Sequence, residues 1–177
     1  MLDFKINAKV ALFVIVSLGA IPLAAIWLNV IPKMTIININ DWMNNVPVIY
    51  SDSFPDESYL SALYCKIAPF FSILYYILVW NSIKLKKEHF KLYNSGVQTL
   101  IFGHFSAILI ISTFVYINYY LNYNMSTGNR KISSISNFEF TSFLYYYTIF
   151  LSVFITTCTA INIFLFLPIK YKQKRWG

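Results

Sequence analysis

Four long apolar runs, each free of Asp, Glu, Lys and Arg, alternate with polar segments along the chain at 10–32, 67–83, 92–129 and 140–169. A helix needs about 20 mostly apolar residues to cross a hydrocarbon core of about 30 Å. The first, third and fourth runs reach that length directly. The second is short, but 60–66 extends it outward, and Lys66 can snorkel its ammonium to the headgroups along an apolar stem. The pattern predicts helices at about 10–31, 58–83, 97–120 and 143–167. With 177 residues, 58% of them hydrophobic and 12% charged, the chain has more apolar surface than one aqueous core could hide. Lipid has to act as part of the solvent. The expected fold class is all-α: a polytopic membrane protein whose four transmembrane helices pack as a bundle, a single domain over 1–177.

A net charge of +7 would suit nucleic acid, but its placement points to topology instead. Lys5 and Lys9 precede the first helix, Lys84, Lys86, Lys87 and Lys91 separate the second from the third, and Lys170, Lys172, Lys174 and Arg175 follow the fourth. The opposite loops hold Asp41, Asp52, Asp56, Glu57 and Glu139, offset by Lys33, Lys66, Arg130 and Lys131. Cytoplasmic loops carry the excess of Lys and Arg, so both termini are expected in the cytoplasm and the protein in a bacterial inner membrane. Membrane lipid is then one partner and nucleic acid is not. Lys5 and Lys9 before an apolar run imitate a signal peptide, yet the run is too long and the Ser17/Gly19 site too poor for cleavage. Cys65 near the outer interface and Cys158 inside the fourth helix lie at different depths, which argues against a disulfide.

Within this frame the punctuation is informative. Ser53-Phe54-Pro55-Asp56-Glu57 reads as a helix start at the end of the long outer loop 33–57. Pro69 cannot bond the Cys65 carbonyl and should kink the second helix, and Pro22 does the same to the first at Leu18. Tyr116, Tyr119, Tyr120, Tyr123 and Tyr145–Tyr147 read as an aromatic belt at the outer boundary. Each helix carries one ridge of small residues: Ala20 and Ala24; Ser61, Cys65, Ala68 and Ser72; Thr99, Gly103 and Ala107; Ser152, Thr156 and Ala160. Such ridges let helices approach closely in lipid, within the bundle or with one ridge facing a partner helix.

Reagents for catalysis are missing. Two isolated cysteines do not make a quinone-linked disulfide oxidoreductase, and His89 and His104 are too few for a four-helix di-haem cytochrome. The apolar runs hold no carboxylate for a proton-coupled exporter or a membrane aspartyl protease. No phosphate-binding glycine loop or metal-ligand cluster appears. The expectation is a protein that is not an enzyme, with no catalytic residues, cofactor or metal. His104 is the one ionisable group at depth, about 10 Å from the inner end of its helix. At equal depth stand Ser17, Tyr76 and Asn162, with Thr159 one turn away. A neutral imidazole bonded across helices and a proton-carrying site on a transport path are both open readings.

The segment Tyr64-Cys65-Lys66-Ile67-Ala68-Pro69, followed by the apolar run 70–79, resembles the start of the second membrane helix in immunity proteins against pore-forming colicins of the A type (colicins A, B, N and U). That family shows Tyr, two variable residues, a small or β-branched residue, then Ala-Pro; Ile67 stands where Thr is usual. Ile21-Pro22-Leu23 is similar to the family's Ile-Pro-Leu or Ile-Pro-Met. Ser126-Thr127-Gly128-Asn129-Arg130 resembles its Thr-Thr-Ala-Gly segment with one residue altered or shifted. Leu167-Pro168-Ile169-Lys170-Tyr171-Lys172 is similar to its proline-to-basic tail. Each motif is weak alone, and their order and spacing over nearly the whole chain carry the resemblance. It implies a bacteriocin immunity protein that binds the pore-forming domain of an A-type colicin in the inner membrane and blocks channel opening. The implied toxin-binding residues are Tyr64, Lys66, Ala68 and Pro69 in the first motif and Ser126, Thr127, Gly128 and Arg130 in the second. The alternative is a small four-helix transporter or channel subunit built around His104.

Reporter fusions test the orientation. Those after Lys87 and Arg175 should read cytoplasmic, and those near Asn44 and Asn129 periplasmic. A cytoplasmic signal at Asn44 contradicts the charge-based arrangement.

Overall fold

Prolines decide where the apolar runs bend. In the computed structural model, which describes residues 6–28, 30, 49–54, 58–83, 85–121 and 123–176, the Asn7 side chain opens α1 (Ala8–Gly19) by accepting the Lys9 N–H at 2.9 Å. Pro22 has no N–H, and its ring collides with the Leu18 carbonyl. The chain therefore turns at Ala20, two residues ahead of the proline, and restarts as α2 (Ile21–Trp27). The Ala20 N–H tightens onto Ser17 at 3.1 Å, which leaves the Val16 carbonyl to the Tyr147 hydroxyl at 2.7 Å. A break replaces the expected kink, and the first span runs Ala8–Trp27.

β1 (Ile49–Tyr50) precedes α3 (Tyr59–Val79). The helix begins at Tyr59, one residue from the expected 58; residues 53 and 54 are not helical, and the Ser58 hydroxyl donates back to the Phe54 carbonyl at 3.0 Å. Pro55, Asp56 and Glu57 lie outside the described residues. α3 stays one helix through Pro69. The Cys65 carbonyl orphaned there receives the Tyr119 hydroxyl at 2.5 Å. In return the Cys65 thiol donates to the Asn118 carbonyl at 3.2 Å, and the Asn118 amide reaches the Ser152 hydroxyl at 3.4 Å. Three spans meet at the proline level.

A 3₁₀ turn (Lys87–Phe90) and α4 (Lys91–Asn94) lead to Gly96, whose φ of 99° lies in the left-handed region that glycine enters without strain. α5 (Val97–Tyr119) follows, then β2 (Tyr123–Asn124), which pairs in parallel with β1, and α6 (Arg130–Ser136). The fourth span exceeds the predicted 143–167 at both ends: α7 (Glu139–Ile161) passes through a π segment (Asn162–Phe166) into α8 (Leu167–Trp176). Pro168 does not end the helix because the π segment absorbs it. The Leu167 N–H reaches back to Asn162, and the Ile163 carbonyl, which faces the missing donor of Pro168, takes the Tyr93 hydroxyl at 3.2 Å.

The core sits between α3 and α7. Ser61, Cys65, Ala68 and Ser72, the predicted ridge of the second helix, are all buried, and the Ser72 hydroxyl donates to the Phe154 carbonyl at 3.0 Å. Beside them Tyr64, Tyr147, Phe150 and Phe154 form a ladder with ring centroids 5.4 to 6.4 Å apart. α1 closes on it at Gly19, where a Cβ would collide with the Phe150 ring. α5 is different: Asn118 alone among its residues is buried, and Thr99 of its small-residue ridge is exposed. The aromatic belt divides likewise. Tyr116 and Tyr120 are exposed and stacked on each other, whereas Tyr119 and Tyr147 spend their hydroxyls on carbonyls of other helices.

Removing the hydroxyl in Tyr119→Phe should lower stability by about 0.6–2 kcal/mol, measured by denaturant titration in micelles. Adding Pro69→Ala supplies the missing backbone donor and should recover most of the loss. A double mutant no more stable than the single would refute the coupling.

Candidate functional site

Serines build the end of the molecule where the two predicted motifs lie. Short loops leave backbone N–H groups without ladder partners, and hydroxyls take their place. The Ile49 N–H bonds Ser61 Oγ at 3.1 Å, and the Ser51 N–H bonds Ser58 Oγ at 3.0 Å. Ser58 Oγ also meets the Tyr146 hydroxyl at 3.1 Å. The Asp52 N–H bonds Ser126 Oγ at 2.9 Å, and Asn124 Nδ2 closes on the Asp52 carboxylate at 2.8 Å. Together with the β1–β2 pairing, these bonds fasten both loops to α3 and α7 as a platform.

The eight predicted contact residues separate on this frame. Tyr64 and Ala68 have no exposed surface; they pack in one core cluster that also takes in the fully buried Met125. Ser126 is half-buried and holds Asp52. Gly128 lies where a Cβ would collide with the Tyr123 hydroxyl. Lys66 and Pro69 are half-buried on α3, and Thr127 and Arg130 are exposed beside the platform. Tyr64 and Ala68 are thus core residues, and only part of each motif reaches the surface.

Charge and chemistry at depth also differ from the sequence reading. His104 donates its Nδ1–H to the Leu100 carbonyl of its own preceding turn at 2.8 Å. A carbonyl only accepts, so Nδ1 carries the proton. The ring lies edge-on to Tyr93 at 6.0 Å and tilted to Phe164 at 5.9 Å. Its Nδ1 hydrogen bond goes to none of Ser17, Tyr76, Asn162 and Thr159, the partners expected from depth, but to the i−4 carbonyl of its own helix. Outside the spans, burial pushes the Tyr93 phenol above its usual pKa, so it keeps the proton it donates to Ile163. Among the described residues no three His, Cys, Asp or Glu side chains converge as a metal site.

One feature was invisible in the sequence. A groove of about 340 Å³ runs between α5 and α7, walled by Ile110 and Phe114 on one side and Thr148, Ser152, Thr156 and Thr159 on the other. The threonine hydroxyls are turned back onto carbonyls of their own helix, at 2.6 Å to Tyr145, 2.7 Å to Ser152 and 2.8 Å to Ile155. The wall they present is therefore methyl-rich. Ile110 and Ile155 stay exposed at its edges. The small-residue spacing of Ser152 and Thr156 was the available signal; which helix would leave that ridge open was not.

A family described as colicin immunity protein matches residues 33–176 of the chain. The colicin-A immunity protein of Citrobacter freundii is 26% identical over 166 residues, covering 92% of this chain and 88% of that protein. No solved structure matches significantly. With the family pattern extending over most of its length, the chain belongs to the colicin immunity protein family.

Proposed function

We propose that the protein protects its cell by binding the pore-forming domain of an A-type colicin within the inner membrane and holding it short of channel opening. The likeness along nearly the whole chain to a colicin-A immunity protein carries this reading. The bundle offers two surfaces for the task. The groove between α5 and α7 suits an apolar helix in lipid, since its methyl-rich wall permits close approach and its threonine hydroxyls are already paired within their own helix. The platform presents Thr127 and Arg130, with Lys66 and Pro69 on the flank of α3, at the expected periplasmic side. Tyr64, Ala68, Ser126 and Gly128 shape those surfaces from within. Both termini face the cytoplasm in this arrangement, and holding a partner by shape needs no reacting group.

Sensitive cells expressing the chain, challenged separately with purified colicins A, B, N and U, test the reading. Survival of at least one of these toxins is expected, with no protection against a nuclease colicin. Filling the groove by Thr148→Leu with Thr159→Phe, two exposed lining positions outside the Asn118–Ser152 joint, should abolish protection while membrane abundance holds. Gly128→Val should lower abundance itself, because its side chain strikes Tyr123. His104→Gln should still protect, since toxin capture moves no proton; a stable, inactive His104→Gln would favour transport instead.

A further inference from the structure

The basic end of the bundle holds a second recess, between α8 and the segment that joins α3 to α5. Its volume is about 290 Å³, and Ile83, Leu85, Phe90, Lys170, Gln173 and Lys174 line it. Lys170 and Lys174 stand four residues apart on α8, so their stems rise from one helix face. Like charges at that spacing repel. Among the described residues, aromatic rings are what hold the two ammonium groups. Lys170 Nζ lies 5.4 Å from the Trp80 ring centre and 5.8 Å from that of Phe166, and Lys174 Nζ lies 5.4 Å from that of Phe90. A ring face steadies a cation without neutralising it, so both charges remain available to an anion.

The recess is built, not incidental. Phe90 is buried at its floor and tilted against Tyr171 at 5.6 Å. Tyr171 stacks on Tyr93 at 5.2 Å and donates to Asn94 Oδ1 at 3.0 Å. Tyr93 in turn caps the Ile163 carbonyl in the π segment, which fixes the direction in which α8 leaves the membrane. The fourth span of 36 residues is about 54 Å long, against about 40–45 Å for a bilayer with its headgroups. α8 therefore passes through the headgroup layer, and Trp80 at the end of α3 marks the same level.

We infer that this recess binds an anionic phospholipid, its phosphate between Lys170 and Lys174 and its chains against Ile83, Leu85 and Phe90. The apolar floor selects this ligand: a free phosphate or an acidic peptide would use the two charges and leave the floor unmatched. Basic pockets at the membrane face of helical bundles hold such headgroups by the same pairing of charge with depth. The inference needs the chain to span a bilayer and does not depend on which toxin it neutralises.

Purified protein in neutral detergent, titrated with phosphatidylglycerol, phosphatidylcholine or inorganic phosphate, provides the test, with retained lipid read by native mass spectrometry and thermal midpoint read alongside. Phosphatidylglycerol should be retained and raise the midpoint, and the other two should not. Lys170→Gln with Lys174→Gln should weaken its retention by about 30-fold, while Lys170→Arg with Lys174→Arg keeps it. Leu85→Gln, which leaves both lysines in place, should also weaken retention by removing part of the apolar floor. The pair Lys86→Gln with Lys172→Gln removes the same charge from exposed positions outside the recess and should change little. Equal loss in that control pair would reduce the effect to general electrostatics, and equal binding of inorganic phosphate would reduce it to an anion site. Either result overturns the inference.

Discussion

A backbone carbonyl without a donor cannot be left in lipid, and this constraint organises the bundle. Water is not there to take the donor's place, and each unsatisfied group costs several kcal/mol. Prolines fall in three of its spans, and near each of them one carbonyl loses its helical donor: at Pro69 and Pro168 by the missing N–H itself, and at Pro22 by the turn at Ala20 ahead of it. Each is taken by a tyrosine hydroxyl from a different element: Val16 by Tyr147, Cys65 by Tyr119, and Ile163 by Tyr93. A defect within one helix thus becomes a bond between two elements. Tyrosine suits the role because its ring tolerates the apolar environment while its hydroxyl delivers one donor at the tip.

The same bonds explain why the four spans are unequally packed. α1, α3 and α7 also share a buried aromatic ladder, closed at Gly19. Among the described residues α5 takes part in no comparable ladder. Near its C-terminal end Tyr119 and Asn118 tie it to α3 and α7, and near its N-terminal end Gly103 rests on Leu92. Between these points it stands off α7, and the groove opens there. The cavity lies between these two attachments, one made by polar atoms and the other by the apolar Leu92 side chain.

Much of this was legible in the sequence, and what was not has a common cause. Charge-free runs mark the four helices because the cost of burying a charge is local to the residue that carries it. Pro69 likewise announces an orphaned carbonyl at Cys65. The donor cannot be read, since Tyr119 is distant in the chain and sits in a cluster whose neighbours, Tyr116 and Tyr120, do lie exposed as belt residues. His104 misleads for the opposite reason: its partner is in its own helix, one turn away, where depth-counting does not look. The candidate site shows a related mixture. Short motifs collect residues that build a surface together with residues that form it, so Tyr64, Ala68, Ser126 and Gly128 appear beside Lys66, Thr127 and Arg130. Only burial separates them.

That mixture bears on what the Ala68-Pro69 motif does. Ala68 is buried and cannot touch a partner, and Pro69 acts by removing a donor. Its consequence passes to Tyr119, then along α5 to Asn118, and from there to Ser152. Ser152 belongs both to this chain of bonds and to the wall of the groove. A change at the proline therefore alters where α5 is anchored, and with it the width of the space between α5 and α7. Under the proposed function, the motif also sets the shape of the groove that a toxin helix meets. A surface defined by such a joint can change its partner through the groove wall while the joint itself stays the same. Under that proposal recognition would reside in exposed groove side chains such as Ile110 and Ile155, with the proline acting on their spacing through Tyr119 and Asn118.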